Sequence, residues 1–134
     1  MSLFRVKYLS FFFILISVFS FLNIIYSYYF NLYLNLNTYY FSLLPSLVIG
    51  LFFYKIKEIN KKPTIFEKIL TVFLGYFLMP LVLSIPFYLS IYNLTFLNSY
   101  FEATSGFSST GFTIFENIKN IDQSLILWRS STQW

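Results

Sequence analysis

Three long apolar runs, separated by short polar stretches, set the pattern of the chain. The first runs from Tyr8 to about Phe30, the second from about Leu36 to Tyr54, and the third from about Ile69 to Tyr92. No Asp, Glu, Lys or Arg occurs between Tyr8 and Tyr54, or between Ile69 and Phe101. A helix that crosses a bilayer needs about 20 predominantly apolar residues, so each run predicts one membrane-spanning helix. Ser10, Ser17, Ser20 and Ser27 interrupt the first run, but such hydroxyls can bond back to their own helix and do not prevent insertion. A cleaved signal peptide also begins with basic residues. This run, however, continues through Ile24, Ile25 and Tyr29, beyond the usual length of a signal-peptide core. Pro45 and Gly50 fall inside the second run; Gly75, Pro80 and Pro86 fall inside the third and predict a bend there.

After the third run the pattern changes. Asn98–Phe107 reads as a short helix, with Ser99 as its N-cap and Glu102 as the acid of a capping box. Thr104, Ser105 and Gly106 then close it. The hydroxyl-rich segment Ser108-Ser109-Thr110-Gly111-Phe112-Thr113 follows, and a further helix begins near Ser124. A helix of about eight residues is only about 12 Å long, far short of a crossing. A short helix joined to a Ser/Thr/Gly segment has the form of a re-entrant loop, whose irregular backbone survives at membrane depth only inside protein or beside a water-filled path. Backbone carbonyls and hydroxyls can replace the water shell of a cation, and the C-terminal end of the short helix favours positive charge.

Composition agrees. Of 134 residues, 57% are hydrophobic, 25% aromatic and only 10% charged, against about a quarter charged in a soluble domain. The chain has no Cys and no His, which removes thiolate metal sites, haem ligation and the commonest general base. Glu102, Glu116 and Asp122 are the only acids outside the Lys-rich loop, and they make no convincing catalytic set. The chain reads as a non-enzyme that needs no cofactor.

The charges also orient the molecule. Arg5 and Lys7 precede the first run, five lysines lie between Lys55 and Lys68, and the connection between the first two runs has none. By the positive-inside rule the N-terminus and the Lys-rich loop face the cytoplasm. The lysines are read as this orientation signal and not as a nucleic-acid or lipid-binding patch. Arg129 could pair with Glu102 or Glu116, or simply lie at the interface; a structural ion pair is expected in preference to a direct part in ion gating. Glu116, Lys119 and Asp122 are expected to be solvated loop charges.

The segments Phe101-Glu102-Ala103-Thr104-Ser105-Gly106-Phe107-Ser108-Ser109-Thr110-Gly111-Phe112-Thr113 and Leu125-Ile126-Leu127-Trp128-Arg129-Ser130-Ser131-Thr132-Gln133-Trp134 resemble the Trk/Ktr/HKT superfamily of potassium transporters, in particular its bacterial TrkH-type membrane subunit. In that family four helix–pore-loop–helix repeats are fused in one chain, preceded in TrkH by two extra helices. The resemblance implies an all-α membrane protein with two N-terminal helices and the basic loop in residues 1–62, and a first repeat, interrupted in its second helix, in residues 63–134. It places Gly111 at the filter glycine, with the carbonyls of Ser109, Thr110, Gly111 and Phe112 facing the ion. Serine stands at 109 where the family pattern prefers threonine. The resemblance further implies potassium transport in a bacterial inner membrane, by a homodimer regulated by a cytosolic nucleotide-binding subunit. A chain ending at Trp134 would then carry one of four filter loops and would not conduct alone. The competing reading is a small structural subunit of a membrane complex, in which the Ser/Thr/Gly segment is a plain loop.

Overall fold

The computed structural model describes residues 6–56 and 64–133. Arg5 and the central part of the Lys-rich loop, from Lys57 to Pro63, lie outside the described residues. The fold is α1 (Val6–Tyr29), α2 (Leu36–Lys55), α3 (Ile65–Leu83), α4 (Ile85–Tyr88), α5 (Phe96–Phe107), a 3-10 turn (Ile118–Asn120) and α6 (Gln123–Ser131), with no strand among the described residues. Three stretches are long and apolar enough to cross a membrane: Tyr8–Tyr29, Leu36–Lys55 and the α3–α4 unit Ile65–Tyr88. This is an all-helical membrane protein.

The α1–α2 pair is a tight antiparallel hairpin. Asn31 turns the chain at φ 56°, and the Leu32 N–H caps the end of α1 on the Ser27 carbonyl at 2.8 Å. Small residues let the two helices approach closely, as is usual inside membranes. Ser20 donates to Ser42 at 3.2 Å, and a Cβ added to Gly50 would lie 2.9 Å from the Ile14 side chain. Ser17 and Ser20 also bond back to the carbonyls of Ile14 and Ile16, as the run's hydroxyls were expected to do.

The third span begins four residues earlier than its apolar run. Thr64 is the N-cap of α3; its hydroxyl accepts from the Glu67 N–H at 3.3 Å, and the Glu67 carboxylate accepts from the Thr64 N–H at 3.2 Å. This reciprocal capping box draws Glu67 and Lys68 into the first turn. At its other end the span breaks instead of merely bending. Pro86 has no N–H to continue the α3 ladder, so α3 stops at Leu83 and a separate turn, α4, restarts at Ile85. The carbonyls at a helix end need partners, and the buried Trp128 indole supplies one, donating to the Leu83 carbonyl at 3.1 Å. Trp128 stacks obliquely on Tyr39, with ring centres 5.9 Å apart. Together with Phe13, Phe87, Ala103 and Leu125 these residues form the buried centre at which α1, α2, α4, α5 and α6 meet.

Candidate functional site

The N-cap of α5 is Thr95, whose hydroxyl accepts from the Asn98 N–H at 3.3 Å. This corrects the expected Ser99–Glu102 capping box. Ser99 lies inside the helix and donates to the Thr95 carbonyl at 3.0 Å, and Glu102 lies in mid-helix, fully buried. The spacing that suggested a cap instead puts both residues on one inward face, because positions three apart in a helix are neighbours.

The end of α5 is a Schellman motif. The Ser109 N–H returns to the Gly106 carbonyl at 2.9 Å, and the Thr110 N–H to the Ser105 carbonyl at 3.1 Å. Ser109 is the left-handed residue of the motif, at φ 56°, a place usually filled by glycine. Gly111 is also left-handed, at φ 78°, and a Cβ there would meet nothing within 4 Å. Its glycine is therefore required by backbone conformation and not by crowding. Gly106 is the opposite case: a Cβ there would collide with the Thr132 hydroxyl, so this glycine allows α5 and α6 to touch.

Side chains from α5 and α6 then hold the exposed segment 108–112 from behind. The Ser105 hydroxyl donates to the Phe112 carbonyl at 2.6 Å and lies 3.2 Å from the Thr110 hydroxyl. One carboxylate oxygen of Glu102 accepts from the Thr113 hydroxyl and from the Ile114 N–H, both at 2.6 Å. The other lies 3.0 Å from Arg129 Nε, in an ion contact whose N–H is not aligned for a hydrogen bond. The rest of the guanidinium reaches forward, donating to the Phe112 carbonyl at 2.9 Å and the Gly111 carbonyl at 3.3 Å. The Arg129 side chain is 16% exposed and that of Glu102 is 0% exposed, so the pair is largely shielded from water. Of the two acids considered as partners of Arg129, the structure selects Glu102; Glu116 and Lys119 are exposed.

Ser109, Thr110, Gly111 and Phe112 thus form one continuous exposed strip, with Phe112 68% exposed. The Phe112 carbonyl carries two donors and is the anchored end of the strip. Among the described residues no group of three or more acids could hold a metal ion. Of the four carbonyls expected to face an ion, those of Gly111 and Phe112 are instead turned to the Arg129 guanidinium.

Asp122 departs from the expectation of a solvated charge. It caps α6, accepting from the Ser124 N–H at 3.0 Å, and also accepts from the Asn35 side-chain amide at 2.7 Å. Asn35 in turn accepts from the Ile91 N–H at 3.1 Å, and Tyr39 donates to Ser124 at 2.8 Å. This clasp fixes the start of α6, and through it Arg129, against the α1–α2 hairpin. The Asp122-x-Ser124 spacing carried a capping signal in the sequence. The roles of Ser105 and Thr113 had no local signal.

Fold and site together define a helical membrane protein in which a short helix presents a braced, hydroxyl-rich loop. Among known proteins, the chain is similar to an uncharacterized cation transporter of Methanocaldococcus jannaschii, with 27% identity over 106 residues. The match covers 78% of this chain and 22% of that protein, so the chain spans about a fifth of its relative's length. No family model matches the chain, and no solved structure matches it.

Proposed function

We propose that this chain is part of a cation transporter, that its cation is potassium, and that the strip Ser109–Phe112 is one selectivity-filter loop of a TrkH-type uptake system. The observation that carries the proposal is the Glu102–Arg129 brace, which holds a left-handed glycine and its neighbouring carbonyls in an exposed strip. Dehydrating a cation requires oxygens fixed in advance, and the brace supplies that rigidity with no net charge. Similarity to a protein named as a cation transporter supports the same class. Under this reading α3, α5 and α6 belong to one helix–pore-loop–helix repeat, and α1 and α2 are the two extra helices. The N-terminus faces the cytoplasm of a bacterial inner membrane. Conduction requires further loops around a common axis, in a homodimer governed by a cytosolic nucleotide-binding subunit.

The chain contains no cysteine, which makes a direct test possible. In the transporter that includes this chain, with any cysteine outside these residues replaced, Ser109→Cys places a single thiol on the strip. Silver ion should then block rubidium uptake, and potassium should protect against the block. Uptake that silver leaves untouched would place the ion path elsewhere.

A further inference from the structure

A groove of about 470 Å³ runs between α1 and α3, lined by Leu9, Phe12, Val72, Gly75, Tyr76 and Met79 and closed at one end by Phe107. Tyr8 and Thr71 lie at its other end. We propose that this groove holds one acyl chain of an anionic phospholipid, with the phosphate at Lys68. This proposal does not rest on the transport reading.

Three observations carry it. First, the groove is apolar and lies along two helices that are each long and apolar enough to cross a bilayer, so an alkyl chain matches it chemically. Its volume is about three times that of a cavity of ~150 Å³ that takes up benzene, which gives room for an extended alkyl chain. Second, Gly75 forms part of the floor. A Cβ there would make only ordinary contact with Leu9 and Met79 at 3.4 and 3.6 Å, so the glycine leaves space where a larger side chain would fill the groove. Third, the charge is matched to a phospholipid. Lys68 is exposed and lies one turn before Thr71 and Val72, on the face of α3 that lines the groove. Its neighbour Glu67 is occupied in the capping box, and Lys68 has no acidic partner among the described residues. A lysine at the end of an apolar groove, with the Tyr8 phenol nearby, suits a headgroup phosphate at the interface.

The test uses the full chain in nanodiscs of equimolar phosphatidylglycerol and phosphatidylethanolamine, extracted gently and weighed by native mass spectrometry. The expected result is one retained phosphatidylglycerol per chain, enriched about five-fold over phosphatidylethanolamine, which is what one lysine near an anionic headgroup contributes. Lys68→Gln should abolish that preference without changing the fold, because the side chain is exposed. Val72→Trp, at an exposed position on the groove wall, should fill the groove and release both lipids. Retention in the ratio supplied, retention unchanged in Val72→Trp, or a lipid-free dimer in which a second copy covers the groove would each overturn the proposal.

Discussion

Glu102 and Arg129, 27 positions apart in the sequence, meet at 3.0 Å behind the exposed loop, and each also holds that loop through a second set of bonds. Glu102 fixes Thr113 and Ile114, while Arg129 fixes Gly111 and Phe112. The pair is therefore a strut with the loop strung across it. Burying two charges is costly, and a buried pair is worth keeping only when its other lone pairs and protons are also used. Here one carboxylate oxygen takes two hydrogen bonds and one guanidinium nitrogen donates two, while Glu102 Oε2 and Arg129 Nε meet only each other.

Glu102→Gln keeps an oxygen for Thr113 and Ile114 but leaves Arg129 without its counter-charge. Thermal unfolding of the detergent-solubilised chain should show a loss on the order of 3 kcal/mol, the cost of breaking a shielded pair. Arg129→Met alone should cost a similar amount. The double variant should lose much less than the sum of the two. Additive losses would show that the contact carries no coupling.

Ser109 and Gly111 are both left-handed, so they should respond oppositely to glycine and alanine. Ser109→Gly should be neutral or stabilising. Gly111→Ala should lose about 1–2 kcal/mol from the left-handed backbone alone, since its Cβ meets no neighbour. Equal losses for the two variants, read from the same unfolding curves, would contradict the assigned conformations.

How far the sequence foretold the structure differs by level. The spans were legible because charge is excluded from a bilayer, and the absence of Asp, Glu, Lys and Arg over two long stretches leaves few alternatives. Helix ends were harder. Thr64-x-x-Glu67 and Ser99-x-x-Glu102 spell the same capping pattern, yet only the first is a cap. What separates them is where the chain turns. The left-handed Asn93 (φ 48°) releases the chain early enough for Thr95 to start α5, which leaves Ser99 and Glu102 inside it. The Arg129 pairing was within reach because only two acids stood near enough to be considered. The rest of the brace was not, since Ser105–Phe112 and Glu102–Ile114 depend on a loop path that no local pattern encodes.

Gly106 leaves room for the Thr132 hydroxyl where α5 meets the end of α6. Gly106→Ala should therefore cost about 1–3 kcal/mol as an overpacking change, and Thr132→Ala in the same chain should recover most of that loss by removing the hydroxyl in the way. Failure of the second change to rescue the first would mean that the two helices do not meet at this point.

Asp122 links a helix cap to the first hairpin. Asp122→Ala should cost more than the ~1 kcal/mol of an ordinary cap, because Asn35 loses its acceptor as well. Hydrogen exchange should show faster exchange at Ser124 and Leu125, with α2 protection unchanged. A loss confined to that ordinary cap value would mean that the Asn35 contact adds nothing to the cap.

The most direct test of the central claim, that the Ser109–Phe112 strip selects a cation, is the ion preference of the transporter containing this chain after Gly111→Ser. Uptake of rubidium and of sodium would be measured side by side in proteoliposomes. The variant should lose preference for the potassium analogue over sodium while it still inserts and transports. An unchanged ratio in an active variant would contradict the claim.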